Sequence, residues 1–138
     1  MANDIKISVS DRAGRRAASS GSKWEPIMGY SRAVRSGNTI AVTGTVGIRA
    51  DGTYDKSMGE QTRRSLQIIA AAIDALGGEM KHVIRTRMFV TDVSRWEEVA
   101  RVHGDVFADI RPATSIVEVA KLIDGEAQIE IEADAIVI

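Results

Sequence analysis

The sequence predicts one α+β domain, a mixed β-sheet with two helices packed on one face. Three observations carry this. Two stretches open on the Ser-x-x-Glu spacing of a capping box and continue with apolar residues at three- and four-residue intervals. The segments around them are rich in β-branched residues and are separated by turn signals such as Gly37-Asn38, Asp51-Gly52 and Asp124-Gly125. The 138 residues contain no repeat and no polar linker that would divide them.

Taken in order, Ile5, Ile7 and Val9 alternate with Lys6 and Ser8, the pattern of a short half-buried strand. The stretch from Arg12 to Ser22 is basic and small-residue-rich and reads as a loop, so that residues 1–22 form an N-terminal strand-and-loop extension of the single domain. Trp24 is expected to plug that loop onto the body. Residues 30–35 and 39–43 favour β structure around the turn Ser36-Gly37-Asn38, which predicts a hairpin. A further extended piece covers 46–48.

Ser57 and Glu60 have capping-box spacing, and Thr62, Ser65, Leu66, Ile69, Ile73 and Leu76 form one stripe before the stop at Gly77-Gly78. The segment 83–91 is a predicted strand, with Arg85, Arg87 and Phe89 on one face and Ile84, Met88 and Val90 on the other. Ser94 and Glu97 repeat the capping-box spacing, and Val99, Val102, His103, Val106, Phe107 and Ile110 form the second stripe, ending before Pro112. Two final strands are expected at 115–120 and 128–138.

Composition narrows the function classes. The net charge is −1, which gives no broad basic field, so nucleic-acid and anionic-membrane binding have no electrostatic support at whole-chain level. Arg12, Arg15 and Arg16 lie close enough to form a phosphate-binding patch, although no aromatics interleave with them and a solvated loop is the plainer reading. There is no cysteine, hence no disulfide, thiolate nucleophile or zinc–thiolate site. The opening residues are too polar for a signal peptide and no apolar run is long enough to span a bilayer, so a cytoplasmic location is expected.

Glu130, Glu132 and Asp134 alternate onto one strand face, about 6–7 Å between successive members. A flat strand holds carboxylates apart, whereas hard cations need them to converge, so a water-exposed or Arg-paired ladder is expected and a metal is not. Should Glu130 be desolvated beside like charges, its pKa would rise and suit it to proton transfer; a purely structural carboxylate is the alternative.

The tract Arg111-Pro112-Ala113-Thr114-Ser115-Ile116-Val117-Glu118-Val119-Ala120 is followed by the strand Ile129-Glu130-Ile131-Glu132-Ala133. With Gly29-Tyr30, the Gly37-Asn38 turn into Val42-Thr43-Gly44, and Phe89-Val90-Thr91-Asp92, these segments resemble the RidA/YjgF family over residues 30–137. The resemblance implies a chorismate-mutase-like fold, a homotrimer with sites between subunits, and hydrolysis of reactive enamine/imine metabolites to 2-oxo acids and ammonia, with no cofactor.

By the same resemblance, Tyr30 matches the pocket Tyr, Thr43 the strand-end hydroxyl, and Glu130 the Glu that handles the attacking water, while Ser115 keeps its place in the tract. The family's carboxylate-binding Arg is replaced by Thr114, a hydrophobic or Cys position is Ile116, and a helix Asn is Ala100. Losing a bidentate contact in a dry pocket costs about 2–5 kcal/mol, so Thr114 argues against the archetypal activity on 2-iminobutyrate. Arg87 and His103 are candidate compensations: a guanidinium aimed into the intersubunit pocket, and an imidazole whose ordinary pKa is about 6.5. Their alternatives are an ion pair with Glu130, Glu132 or Asp134, and a packed, hydrogen-bonded core His.

The expected function is a divergent RidA-like deaminase or related hydrolase acting on a small metabolite. A non-catalytic metabolite-binding trimer is the alternative, and an RNA-associated protein a weaker one.

Overall fold

A computed structural model describes residues 2–138. Seven strands form one sheet: β1 (Ser8–Arg12), β2 (Arg15–Ser19), β3 (Ala33–Ser36), β4 (Thr39–Val46), β5 (Val83–Val90), β6 (Ala113–Glu118) and β7 (Ile129–Ile136). The helices are α1 (Trp24–Met28), α2 (Met58–Ala75) and α3 (Trp96–Phe107). The strand order is β1-β2-β3-β4-β7-β5-β6. All neighbours are antiparallel except β5 and β6, whose parallel pairing uses α3 as the crossover that such a pair requires. The predicted α+β class with a mixed sheet is what forms.

The stripe read from α2 is its buried face: Thr62, Ser65, Leu66, Ile69, Ile73 and Leu76 are each at most 2% exposed. They pack on Ile40, Val42, Ile129, Ile131, Ala133 and Ala135 of β4 and β7, with Val99, Val102 and Phe107 of α3 completing the aliphatic core. Ser57 Oγ accepts from the amide of Glu60 at 3.2 Å, one half of the predicted capping box. The other half is supplied by Asp55, whose Oδ1 accepts from the Ser57 amide at 2.8 Å in place of the Glu60 carboxylate. At the far end Gly77 takes φ +81°, and the amides of Gly77 and Gly78 return to the carbonyls of Asp74 and Ile73, closing the helix in a Schellman motif.

Four expectations are corrected. The loop from Arg12 to Ser22 is in fact the second strand of a hairpin, because Ala13 and Gly14 both take positive φ, 53° and 77°, the geometry of a two-residue type I′ connection. β1 is exposed at all five positions, as an edge strand paired only with β2; the half-buried residues are Ile5 and Ile7 before it. Ile84 is 49% exposed instead of facing the core, because a register shift between Val83 and Arg85 puts the buried Val83 in its place. The second capping box does not form: Asp92 Oδ1 accepts from the amide and hydroxyl of Ser94 and starts a 3-10 turn that leads into α3.

Trp24 begins the short α1 and is half-buried, with the Lys23 ammonium 5.0 Å from its ring centroid. Among the described residues no helix is long and apolar enough to cross a membrane.

Candidate functional site

Glu130 sits on β7 next to a bulge in β4. Val42 pairs with Ala133 and Thr45 with Ile131, so Thr43 and Gly44 together stand opposite Glu132. The bulge turns Gly44 toward Glu130 so closely that a Cβ there would lie 2.5 Å from Glu130 Oε2. The carboxylate therefore occupies the volume that any other residue at 44 would fill. Burial pushes the Glu130 carboxyl above its ordinary range, the charge of Glu132 adds to the effect, and Arg32 opposes it. The rise expected of a desolvated Glu130 beside like charges is thus found.

The start of β7 is fixed from the helix layer. Gln61 of α2 is 1% exposed. Its Nε2 donates to the carbonyls of Asp55 (2.8 Å) and Glu126 (3.1 Å), while its Oε1 accepts from the amide of Gln128 at 2.8 Å. One amide side chain thereby ties both loops beside Glu130 to the core.

Behind Gly44 lies an arginine to which the sequence reading gave no role. Arg32 is 6% exposed and donates to the Gly44 carbonyl at 2.8 Å, Thr45 Oγ1 at 3.3 Å, Ser20 Oγ at 3.2 Å and the Tyr30 hydroxyl at 3.3 Å. Glu25 Oε2 is 4.0 Å from its guanidinium and accepts from the Ser20 amide and hydroxyl and from the Ser22 amide. Five groups from four segments converge on one planar cation, so the bulge carbonyl and the Tyr30 ring are held by the same side chain. The sequence carried a usable signal: Ser22 and Glu25 have the same Ser-x-x-Glu spacing as the two long helices.

The sheet face away from α2 and α3 bears a cavity of about 450 Å³. Tyr30, Thr43 and Arg87 all line it, as do Arg12 and Arg15 of the hairpin. Thr43 Oγ1 donates to the Ser31 carbonyl at 2.6 Å, which fixes the strand-end hydroxyl. Arg87 Nη1 is 3.5 Å from Glu132 Oε1 and 3.2 Å from Asp134 Oδ2. The ion-pair alternative for Arg87 is what forms, with Glu132 and Asp134 and not with Glu130.

The remaining candidates lie across the sheet. Thr86 is fully buried on the helix side, 2.9 Å from His103 Nε2 and hydrogen-bonded to the hydroxyl of Thr114, which also donates to the Thr86 carbonyl at 3.2 Å. His103 stacks at a tilt on Phe107, 4.6 Å between centroids, and burial pulls its pKa below the ordinary value. The packed, hydrogen-bonded His is therefore the geometry observed, and His103 is neutral at pH 7. Ile116 pairs with Met88 on this same side, whereas Ser115 pairs with Arg87 and faces the other way.

Comparison with known proteins gives this geometry a family. The family described as Endoribonuclease L-PSP matches residues 20–137. A Mycobacterium tuberculosis crystal structure, described as a member of the YjgF/YER057c/UK114 family, superposes with a TM-score of 0.83 at 46% identity, covering 89% of this chain and 99% of that one. The chain belongs to the RidA/YjgF family. An uncharacterised protein of Streptomyces coelicolor is 32% identical over 87% of this chain and 90% of its own length. A protein of Dermatophagoides farinae named 2-iminobutanoate/2-iminopropanoate deaminase is 27% identical over 82% of this chain and 90% of its own.

The family match begins at residue 20, so the β1–β2 hairpin lies outside it. Of the positions that the RidA resemblance marks, Tyr30 and Thr43 share the open-face cavity, Glu130 stands beside the bulge next to it, and Thr114, Ile116 and His103 occupy the helix side.

Proposed function

We propose that the protein is a RidA-like enamine or imine deaminase, or a related hydrolase, with Glu130 activating the attacking water. The observation that carries this is the half-buried Glu130 carboxylate, lifted above its ordinary pKa and packed against Gly44 of the bulge, where a Cβ would displace it. A carboxylate in that state accepts a proton from water more readily than a solvated one.

The site is completed by a second copy of the chain. Glu130, Tyr30, Thr43, Ser115 and Arg87 belong to the open side of the sheet, and Thr114, Ile116 and His103 to the helix side. A sheet separates the two groups within one protomer, so a ligand that meets both must lie where the open side of one copy faces the β6 edge of another. A homotrimer of the family type satisfies this, and sedimentation equilibrium or light scattering measures it directly.

Ammonia release from a panel of small enamines and imines, with the wild type and Glu130→Gln, tests the reaction. Loss of at least 100-fold in the variant is expected from removing a positioned general base. Equal rates would remove Glu130 from the mechanism.

A second reading, binding of a metabolite without turnover, is favoured by Thr114: its hydroxyl is committed to Thr86 and offers no charge to a substrate carboxylate. Ligand-dependent thermal stabilisation without ammonia release would establish it. RNA cleavage has less support, because the net charge is −1 and the cationic residues of the cavity are interleaved with Glu132 and Asp134.

A further inference from the structure

The β1–β2 hairpin, which precedes the family match, brings two arginines to the open-face cavity. Arg12 and Arg15 are direct cross-strand partners flanking the Ala13-Gly14 turn, so their side chains leave the hairpin on one face. Both line the cavity. Among the described residues, neither guanidinium has a hydrogen-bond or ion-pair partner. Two like charges held opposite each other repel, and among the described residues no hydrogen bond or ion pair offsets this at the hairpin tip.

Elsewhere in the cavity the charges are balanced. Arg87 stands against Glu132 and Asp134, so three guanidiniums face two carboxylates and the surplus positive charge lies at the hairpin end. Between the two ends runs a floor of small apolar residues in register across four strands: Ala17 pairs with Val34, Val34 with Ala41, and Ala41 with Asp134. Three strand spacings make this floor about 14 Å long. The cavity thus has a cationic end, an apolar floor and a mixed-charge end, with Tyr30 and Thr43 along its side.

We propose that Arg12 and Arg15 form an anion clamp that takes the carboxylate of a small metabolite, a task that the family's tract cannot perform here because Thr114 stands in the Arg position. A planar two-oxygen anion meets two guanidinium forks at once, and its binding relieves the repulsion between them. The body of the ligand lies over Ala17, Val34 and Ala41, toward Thr43 and the β4 bulge that abuts Glu130. The inference rests on the proposed placement of the reacting ligand on this side of the sheet. It extends that proposal by assigning the contact with the ligand's anionic group to the β1–β2 hairpin, carboxylate and phosphate sharing the required chemistry.

The test is binding of butyrate, butyramide and inorganic phosphate, followed by NMR of the arginine side chains and by calorimetry at low salt. The proteins are the wild type, the double variant Arg12→Gln/Arg15→Gln, the double variant Arg12→Lys/Arg15→Lys and Glu130→Gln. Expected are shifts at Arg12 and Arg15 with butyrate and none with butyramide, at least a tenfold loss in the Gln pair and a partial loss in the Lys pair. Phosphate binding more tightly than butyrate, with the same dependence on the two arginines, supports the clamp and assigns it to phosphorylated ligands. Butyrate and phosphate binding no better than butyramide, or equally well to the Gln pair, overturns the proposal. The Lys pair keeps the charge at the hairpin tip, so misfolding of the Gln pair does not remove the test. Failure of the Glu130 mechanism appears separately, as unchanged ammonia release in Glu130→Gln.

Discussion

Two glycines three positions apart, Gly44 and Gly47, allow a sharp comparison between a substitution that disturbs the candidate site and one that disturbs the fold. A Cβ on Gly44 would lie 2.5 Å from Glu130 Oε2 and 2.8 Å from its Cδ, so Gly44→Ala meets the mobile end of one side chain. A Cβ on Gly47 would lie 2.2 Å from the Gln61 carbonyl oxygen and 2.8 Å from its Cα, so Gly47→Ala meets the backbone of α2. Neither glycine has positive φ, and both effects are therefore steric. Turning one side chain out of its rotamer costs about 0.5–1.5 kcal/mol, while overpacking against backbone costs about 3 kcal/mol or more. With an unfolding entropy of roughly 2.1 cal/mol/K per residue, 138 residues give about 3.5 °C per kcal/mol. Gly44→Ala should then lower Tm by about 2–5 °C and Gly47→Ala by about 10 °C or more. The first variant should also release the Glu130 carboxylate toward solvent, reduce its desolvation and bring its titration back toward that of an ordinary Glu. Calorimetry gives the two Tm values, and carboxyl 13C NMR gives the midpoint of Glu130. An unchanged or higher Glu130 midpoint in Gly44→Ala, or a larger Tm loss there than in Gly47→Ala, would refute the reasoning.

Glu130→Gln should stabilise the protein at neutral pH and leave it unchanged at low pH. A carboxyl whose folded pKa is raised imposes no penalty below its unfolded value and an increasing one as pH rises through the folded value, so the Tm difference from wild type should open across that window. His103→Gln should show a flatter acid limb: the depressed folded pKa makes the wild type lose stability as pH falls below about 6.5, where the unfolded chain protonates first. Arg32→Met should cost about 3–5 kcal/mol in denaturant unfolding, since it strands the buried Glu25 carboxylate and releases the Gly44 carbonyl. Ser57→Ala should cost about 1 kcal/mol by the same measurement, with Asp55 still holding the amide of residue 57.

The elements legible in the sequence are those whose signal is local. The stripe of α2, the Gly77-Gly78 stop and the burial of Met88 and Val90 on one face of β5 follow from periodicity and turn chemistry, and they formed as read. The family motifs marked Tyr30, Thr43 and Glu130, and the structure places all three on one side of the sheet. Local reading failed where a residue's role depends on a distant partner. Arg32 looks like an ordinary surface arginine until Ser20, Gly44 and Tyr30 fold around it. Ile84 leaves the core only because β5 slips against β7. Arg15 and Ala17 read as loop because Ala13 is an unusual residue for a positive-φ turn position, so the hairpin lacks the Asn-Gly or Asp-Gly signature.

The place of β7 in the sheet bears on how the molecule is made. It is the last of the seven strands in the sequence, yet it lies between β4 and β5 and is the sole link between the strands of the first half of the sheet and those of the second. During synthesis β1 to β4 can zip together as local hairpins within microseconds of leaving the ribosome, and β5 with β6 can close over α3, but the two sub-sheets meet only when residues 129–136 insert between them. Glu130 arrives with that final strand. Pairing of the chain into one sheet and placement of the Glu130 carboxylate against the β4 bulge are consequently the same late event, and no partly folded nascent chain carries that contact.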